Sequence, residues 1–128
     1  MNGLDLNEIS GEIVDASLKV HRALGPGLLE SVYEACLAIE LTQRGLKVES
    51  QVPFPVCYKG MQIGPGFRVD LLVEKEVIVE LKVVSETTPI HRSQVLSYLR
   101  LSGKRLGLLV NFNVSRITDG ITRIVNKL

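Results

Sequence analysis

Apolar side chains recur along this chain with two periods, and the change between them separates a helical beginning from a sheet-forming middle. From Leu6 to Leu24, Ile9, Ile13, Ala16, Val20 and Leu24 keep the spacing of one helix face, and Gly25 stands where a helix would stop. Pro26-Gly27 then breaks the chain. A second helix is predicted from about Leu28 to Arg44, with Leu29, Val32, Cys36 and Ile39 as its apolar side and Gly45 just past its end. After Gly45 the period becomes two. Val48, Ser50, Val52, Phe54, Val56 and Tyr58 fall on one side of an extended segment, and Pro53 and Pro55, which lack N–H donors, suit an edge strand. Lys59-Gly60 reads as a turn, Met61-Gln62-Ile63 as a short return strand, and Gly64-Pro65-Gly66 as a further break.

Two β-branched, apolar runs follow, Phe67 to Val73 and Val77 to Val84, joined by Glu74-Lys75-Glu76 as a hairpin loop. The second run is apolar on both faces apart from Glu80 and Lys82, which marks a central, covered strand. Thr88 as N-cap, Pro89 at the first helical position and Gly103 past the end delimit a third helix. Leu106 to Val110 is a buried strand, parallel to the preceding one because a helical crossover joins them. Ser115 to Leu128 is ambiguous: after a turn at Asp119-Gly120, Ile121 to Val125 fits a last strand or a helical turn. The expected architecture is α/β, a mixed β-sheet flanked by helices.

A chain of 128 residues suits one domain, spanning 1–128. At 45% hydrophobic and 23% charged residues the composition is that of a soluble globular protein. No apolar run is long enough to cross a bilayer, and the first residues lack a basic, apolar leader. With a net charge of +1, any grip on nucleic acid rests on a local basic patch. Cys36 and Cys57 have no metal-type spacing and read as buried, reduced thiols of a cytoplasmic protein.

Chemistry concentrates in the predicted hairpin. If Val73 faces Val77, counting back sets Asp70 opposite Glu80, and Lys82 shares the face of Glu80. Two adjacent carboxylates repel, and a divalent cation between them reverses that interaction. Magnesium is held by one or two carboxylates and keeps several waters, and the carbonyl of Leu81 adds a third oxygen. The alternative is a buried Glu80–Lys82 ion pair, which pays heavily in lost solvation and leaves Asp70 unexplained. In the same register Arg68 would face Lys82, a placement fit for phosphate. Glu30 shares a helix face with Tyr33, Leu37 and Leu41, and its position alone leaves open a ligand or a helix-end acid favoured by the macrodipole. Gln94 and Tyr98, four apart on the third helix, either support a site or form a half-buried face. His21 and His91 have no partners at zinc spacing and are read as non-ligands. The two Gly-Pro-Gly segments lack the lysine and hydroxyl of a phosphate loop.

Taken in order, Glu30, Asp70, Glu80-Leu81-Lys82 and Gln94-Val95-Leu96-Ser97-Tyr98 resemble the PD-(D/E)XK nuclease superfamily, with Val69 where that name has proline. Within it the chain is similar to the small GxxExxY family, whose motif reads here Gly27-Leu28-Leu29-Glu30-Ser31-Val32-Tyr33. The resemblance implies a restriction-endonuclease-like core with Glu30, Asp70 and Glu80 binding Mg²⁺ or Mn²⁺. It also implies Lys82 as the catalytic lysine, with Gln94 and Tyr98 supporting the active site and substrate. The resulting expectation is a metal-dependent nuclease acting on nucleic acid, DNA ahead of RNA, with Arg68, Gln94 and Tyr98 contacting substrate. The alternative is a non-cleaving nucleic-acid- or protein-binding module on the same fold. So small a domain offers little surface for a long substrate, which points to a homodimer or another partner.

Overall fold

The computed structural model describes residues 3–128; Met1 and Asn2, part of the expected 1–128 domain, lie outside the described residues. Helix α1 spans Leu6–Leu24, opened by a capping box between Asp5 and Glu8. Helix α2 spans Glu30–Gln43. Strands β1 (Val48–Tyr58), β2 (Met61–Val73) and β3 (Val77–Lys82) follow, then helix α3 (Pro89–Ser102) and strand β4 (Leu106–Asn111). A 3₁₀ turn (Ile117–Gly120) leads into β5 (Ile121–Val125), which resolves the ambiguous C-terminal segment as an edge strand. The five strands lie in sequence order, antiparallel except for the β3–β4 pair.

Helices α1 and α2 cover one face of the sheet. Ile9, Ile13, Leu37 and Leu41 pack there on Leu71, Val79, Leu81 and Val110. Helix α3 covers the other face, where Val95 and Leu99 meet Val69, Ile78 and Leu109. Strand β3 is therefore buried on both sides, as its unbroken apolar run predicts. Thr88 and His91 form the capping box that opens α3, and Gly103 closes it in a left-handed conformation.

Three expectations change. Helix α2 buries Tyr33, Leu37 and Leu41, whereas Leu29 is 73% and Ile39 57% exposed. Both stripes have helical spacing, so periodicity alone did not separate them. Gly64-Pro65-Gly66 does not interrupt the chain: β2 runs continuously through it. The pairing with β1 shifts register there, between Phe54 and Val56, and Val56 lies so close to Gly66 that a Cβ would fall on it. Finally, the cysteines are free but not buried: Cys36 is half-buried and Cys57 exposed.

Candidate metal centre at the β2–β3 fork

The antiparallel ladder between β2 and β3 runs through Val73↔Val77, Leu72↔Ile78 and Leu71↔Val79, and there it ends. One step beyond, side chains replace backbone. The Asp70 N–H donates to Glu80 Oε1 at 2.9 Å, and the Leu81 N–H donates to Asp70 Oδ2 at 2.9 Å. Each carboxyl group thus accepts from the opposite strand, and the two acids face each other across the fork, in the register counted from the hairpin loop. The strands are held from the far side as well. The Lys82 backbone carbonyl accepts from the Phe112 N–H at 3.0 Å, and the buried Asn111 side chain clamps both backbone polar groups of Val84.

Glu80 is 5% exposed. Burial and the Asp70 charge push its carboxyl up to about 8, against the weaker opposing pull of the Asp70 N–H and Lys82. Among the described residues no ion pair joins Glu80 to Lys82. The buried salt-bridge alternative therefore does not account for these acids. The unfavourable pairing instead makes Glu80 keep its proton near neutral pH, and a cation would take that proton's place.

Two further acids come from α2. Glu30 and Glu34 are both raised, first by partial burial and then by Asp70, and Lys82 lowers Glu30. Tyr33 aims this end of the helix. It stacks on Phe112 with ring centroids 4.6 Å apart, and its hydroxyl donates to the Gly25 carbonyl and accepts from the Leu28 N–H at 3.1 Å. That bridge ties down the loop from which Glu30 departs.

Glu34 and Gln51 escaped the sequence reading. Gln51 Nε2 donates to Glu34 Oε1 at 2.8 Å and to Asp70 Oδ1 at 3.3 Å, linking α2 to the fork. Gln51 has φ 54, a backbone state uncommon outside glycine. On either side of it β1 changes faces: Val48 packs under α1 and α2, Val52 under α3. The i, i+4 spacing of Glu30 and Glu34 was a visible signal for the first. The place of Gln51 was not visible. Counting from the Lys59-Gly60 turn without the register shift would put it beside Arg68.

Tyr98 lies flat on Phe67, ring centroids 4.4 Å apart, and its hydroxyl is raised by burial and then by Glu80 and Asp70. Gln94 lowers Tyr98, and its own Oε1 is buried without a hydrogen-bond partner among the described residues. Arg68 corrects an expectation. It pairs with Pro53 on the edge strand, is exposed, and alternates with Phe67 and Val69, which pack under α3. The β2–β3 ladder ends before reaching it, so it does not face Lys82. His91 Nδ1 accepts the Thr88 N–H at 3.1 Å, and a His21 ring nitrogen lies 2.8 Å from the Val114 carbonyl oxygen.

Among the described residues no group of three or more His, Cys, Asp or Glu side chains converges to hold a metal alone. The arrangement is a close pair with outlying acids. That set fits a hard divalent cation, which takes one or two carboxylates and completes its shell with water. Also among the described residues, no helix is long and apolar enough to cross a membrane.

No curated protein matches the chain. A solved structure titled "Crystal structure of SSO0001" aligns over 94% of this chain and 78% of its own at 17% identity, with a TM-score of 0.46 that is too low to bear on function. A family model described as PD-(D/E)XK nuclease superfamily matches residues 7–124, a span that includes both fork acids, Lys82 and the Gln94–Tyr98 helix. With that span and this mixed sheet flanked by helices, the chain belongs to the PD-(D/E)XK nuclease superfamily, whose members generally use divalent metals and act on nucleic acid.

Proposed function

We propose that this protein is a Mg²⁺- or Mn²⁺-dependent nuclease of the GxxExxY group, hydrolysing phosphodiester bonds of DNA in preference to RNA. The observation that carries the reading is the crossed pair at the fork: a buried Glu80, raised to about 8, facing Asp70 through reciprocal backbone hydrogen bonds. Asp70 and Glu80, with the Leu81 carbonyl and Glu30, are the residues that would hold the ion. The bound ion supplies Lewis acidity, polarising a phosphoryl oxygen and making water a better nucleophile at neutral pH.

This chain's own residues do the rest. Lys82 orients the attacking water and meets the negative charge that grows on the phosphate in the transition state. Gln51, bonded to Glu34 and Asp70, keeps the Asp70 carboxylate turned toward the fork. Gln94 and Tyr98 form the wall on the α3 side, where the unpartnered Gln94 oxygen has an unmet demand for a donor. Arg68 contacts the substrate from the rim, not from the fork.

The test is cleavage of labelled single- and double-stranded DNA and RNA with Mg²⁺ or Mn²⁺, beside Mn²⁺ titration. Lys82→Ala should abolish cleavage while keeping Mn²⁺ binding, and Asp70→Asn should lose both. Absence of cleavage with either metal, or undiminished cleavage by Lys82→Ala, refutes the proposal. Retained oligonucleotide affinity without turnover would identify a non-cleaving binding module.

A further inference from the structure

Beyond Val69 the β1–β2 ribbon leaves the body of the protein. Strand β1 is the sheet edge, and β2 has parted from β3 at Leu71, so among the described residues the outer ribbon is paired only with itself. At about 3.3 Å per residue, the stretch from Val69 to Met61 reaches roughly 25 Å. A two-stranded ribbon is marginal by itself in water. This one is anchored at its root by a stack in which Phe67 lies between Phe54, at 5.3 Å, and Tyr98, at 4.4 Å.

The composition of the ribbon is unusual in two respects. Its apolar face continues the α3-side core outward from Val52, Phe54 and Phe67 until nothing covers it: Ile63 is 56%, Tyr58 62% and Met61 69% exposed. Its charge is one-sided. The chain has 14 acidic residues, yet Ser50 to Val69 contains none, and its only charges are Lys59 and Arg68. Lys59 sits 5.5 Å over the Tyr58 ring at the tip. The neighbouring α3 repeats the bias, with exposed Arg92 and Arg100 and no acid. A strand added by another protein would need no such exclusion of carboxylates. A polyanion would.

We infer that the β1–β2 ribbon is a nucleic-acid-gripping arm, seating bases on Tyr58, Met61 and Ile63 and backbone phosphate on Lys59 at the tip. Asp70 is the next residue after the root, so a strand held along the arm passes directly into the fork. An arm of roughly 25 Å spans about seven nucleotide steps of 3.4 Å, which supplies the holding surface that the compact body lacks. Base stacking on an aromatic ring tolerates any sequence, and apolar side chains can wedge between base steps. The arm therefore binds by backbone and base face, with little sequence preference.

The inference rests on the nuclease reading, and two measurements separate them. In metal-free buffer, anisotropy of a fluorescein-labelled 15-mer reports binding without cleavage. Tyr58→Ala combined with Met61→Ser should weaken it about tenfold or more, and Lys59→Ala should flatten the log–log salt dependence by about one unit. With Mn²⁺, the ratio of oligonucleotide cleavage to hydrolysis of bis(p-nitrophenyl) phosphate should fall about tenfold in the tip variant. An unchanged affinity and an unchanged ratio overturn the arm and leave the nuclease reading standing. Loss of small-ester hydrolysis in Lys82→Ala supports the nuclease reading whatever the arm does. If size-exclusion light scattering shows a wild-type dimer that the tip variant converts to monomer, with oligonucleotide affinity intact, the ribbon joins two copies of this chain and the inference fails. All tip side chains are exposed, and circular dichroism of each variant checks that the fold is kept.

Discussion

Replacing Glu80 by glutamine should stabilise the metal-free protein. The substitution keeps the length and one carbonyl oxygen, so the 2.9 Å bond from the Asp70 N–H can persist. It removes the charge that burial and Asp70 both oppose. The carboxyl is raised from 4.5 to about 8, so the folded state holds a proton at pH 7 that the unfolded state has released. The sign follows from that difference: the native state is favoured most below about 4.5, and the advantage fades as pH climbs toward about 8. At about 1.4 kcal/mol per unit, the wild type is weakened at pH 7 by as much as roughly 3 kcal/mol relative to pH 4. Glutamine carries its own desolvation cost, so a net gain of about 1–3 kcal/mol at pH 7 is expected, against almost none at pH 4. In a chain of this size that raises Tm by roughly 4–10 °C. Thermal melts followed by circular dichroism in EDTA at pH 4 and pH 7 measure it. In Mn²⁺ the order should invert, because the wild type gains stability from binding and the variant does not. A Glu80→Gln protein melting at or below wild type at pH 7 without metal would show that Glu80 is a structural acid, and the strain argument would be wrong.

Mn²⁺ affinity should rise steeply between pH 6 and pH 8, because binding displaces the Glu80 proton, and isothermal titration in buffers of different ionisation enthalpy should register that proton's release. Tyr33→Phe should cost about 1–3 kcal/mol in urea denaturation, since it strips the Gly25 carbonyl and Leu28 N–H of their shared partner, and Mn²⁺ affinity should fall with it as the loop before Glu30 loosens. Gly66→Ala should cost a similar amount, about 1–3 kcal/mol, because its methyl collides with Val56; if the register slips, Gln51 also loses Asp70 and metal affinity drops. Leu37→Ala should cost about 2–5 kcal/mol, while Ile39→Ser, two positions away and 57% exposed, should change stability by less than about 0.5 kcal/mol.

The sequence alone determined the elements whose signals are local. Thr88-Pro89 and Gly103 bound α3 because caps and a missing N–H act within one turn of backbone. The hairpin at Glu74-Lys75-Glu76 was readable because its short loop leaves little freedom of register, and strict alternation from Val73 and Val77 then carried the count to Asp70 and Glu80. The order of acids, lysine and Gln-x-x-x-Tyr was legible for the same reason: each pair is separated by a few residues of regular structure. Tertiary structure decided what depends on where elements meet. It selected the Tyr33, Leu37 and Leu41 face of α2 over the equally periodic Leu29, Val32 and Ile39 face, since only packing distinguishes two apolar stripes. It brought Gln51 to Asp70 through the register shift at Gly64-Pro65-Gly66, and it kept Arg68 from Lys82 by ending the β2–β3 ladder at Leu71↔Val79, events between strands that no count along one strand can reveal. It also raised Glu80, because a pKa reflects burial and neighbouring charge, and both exist only once β3 lies in the middle of the sheet.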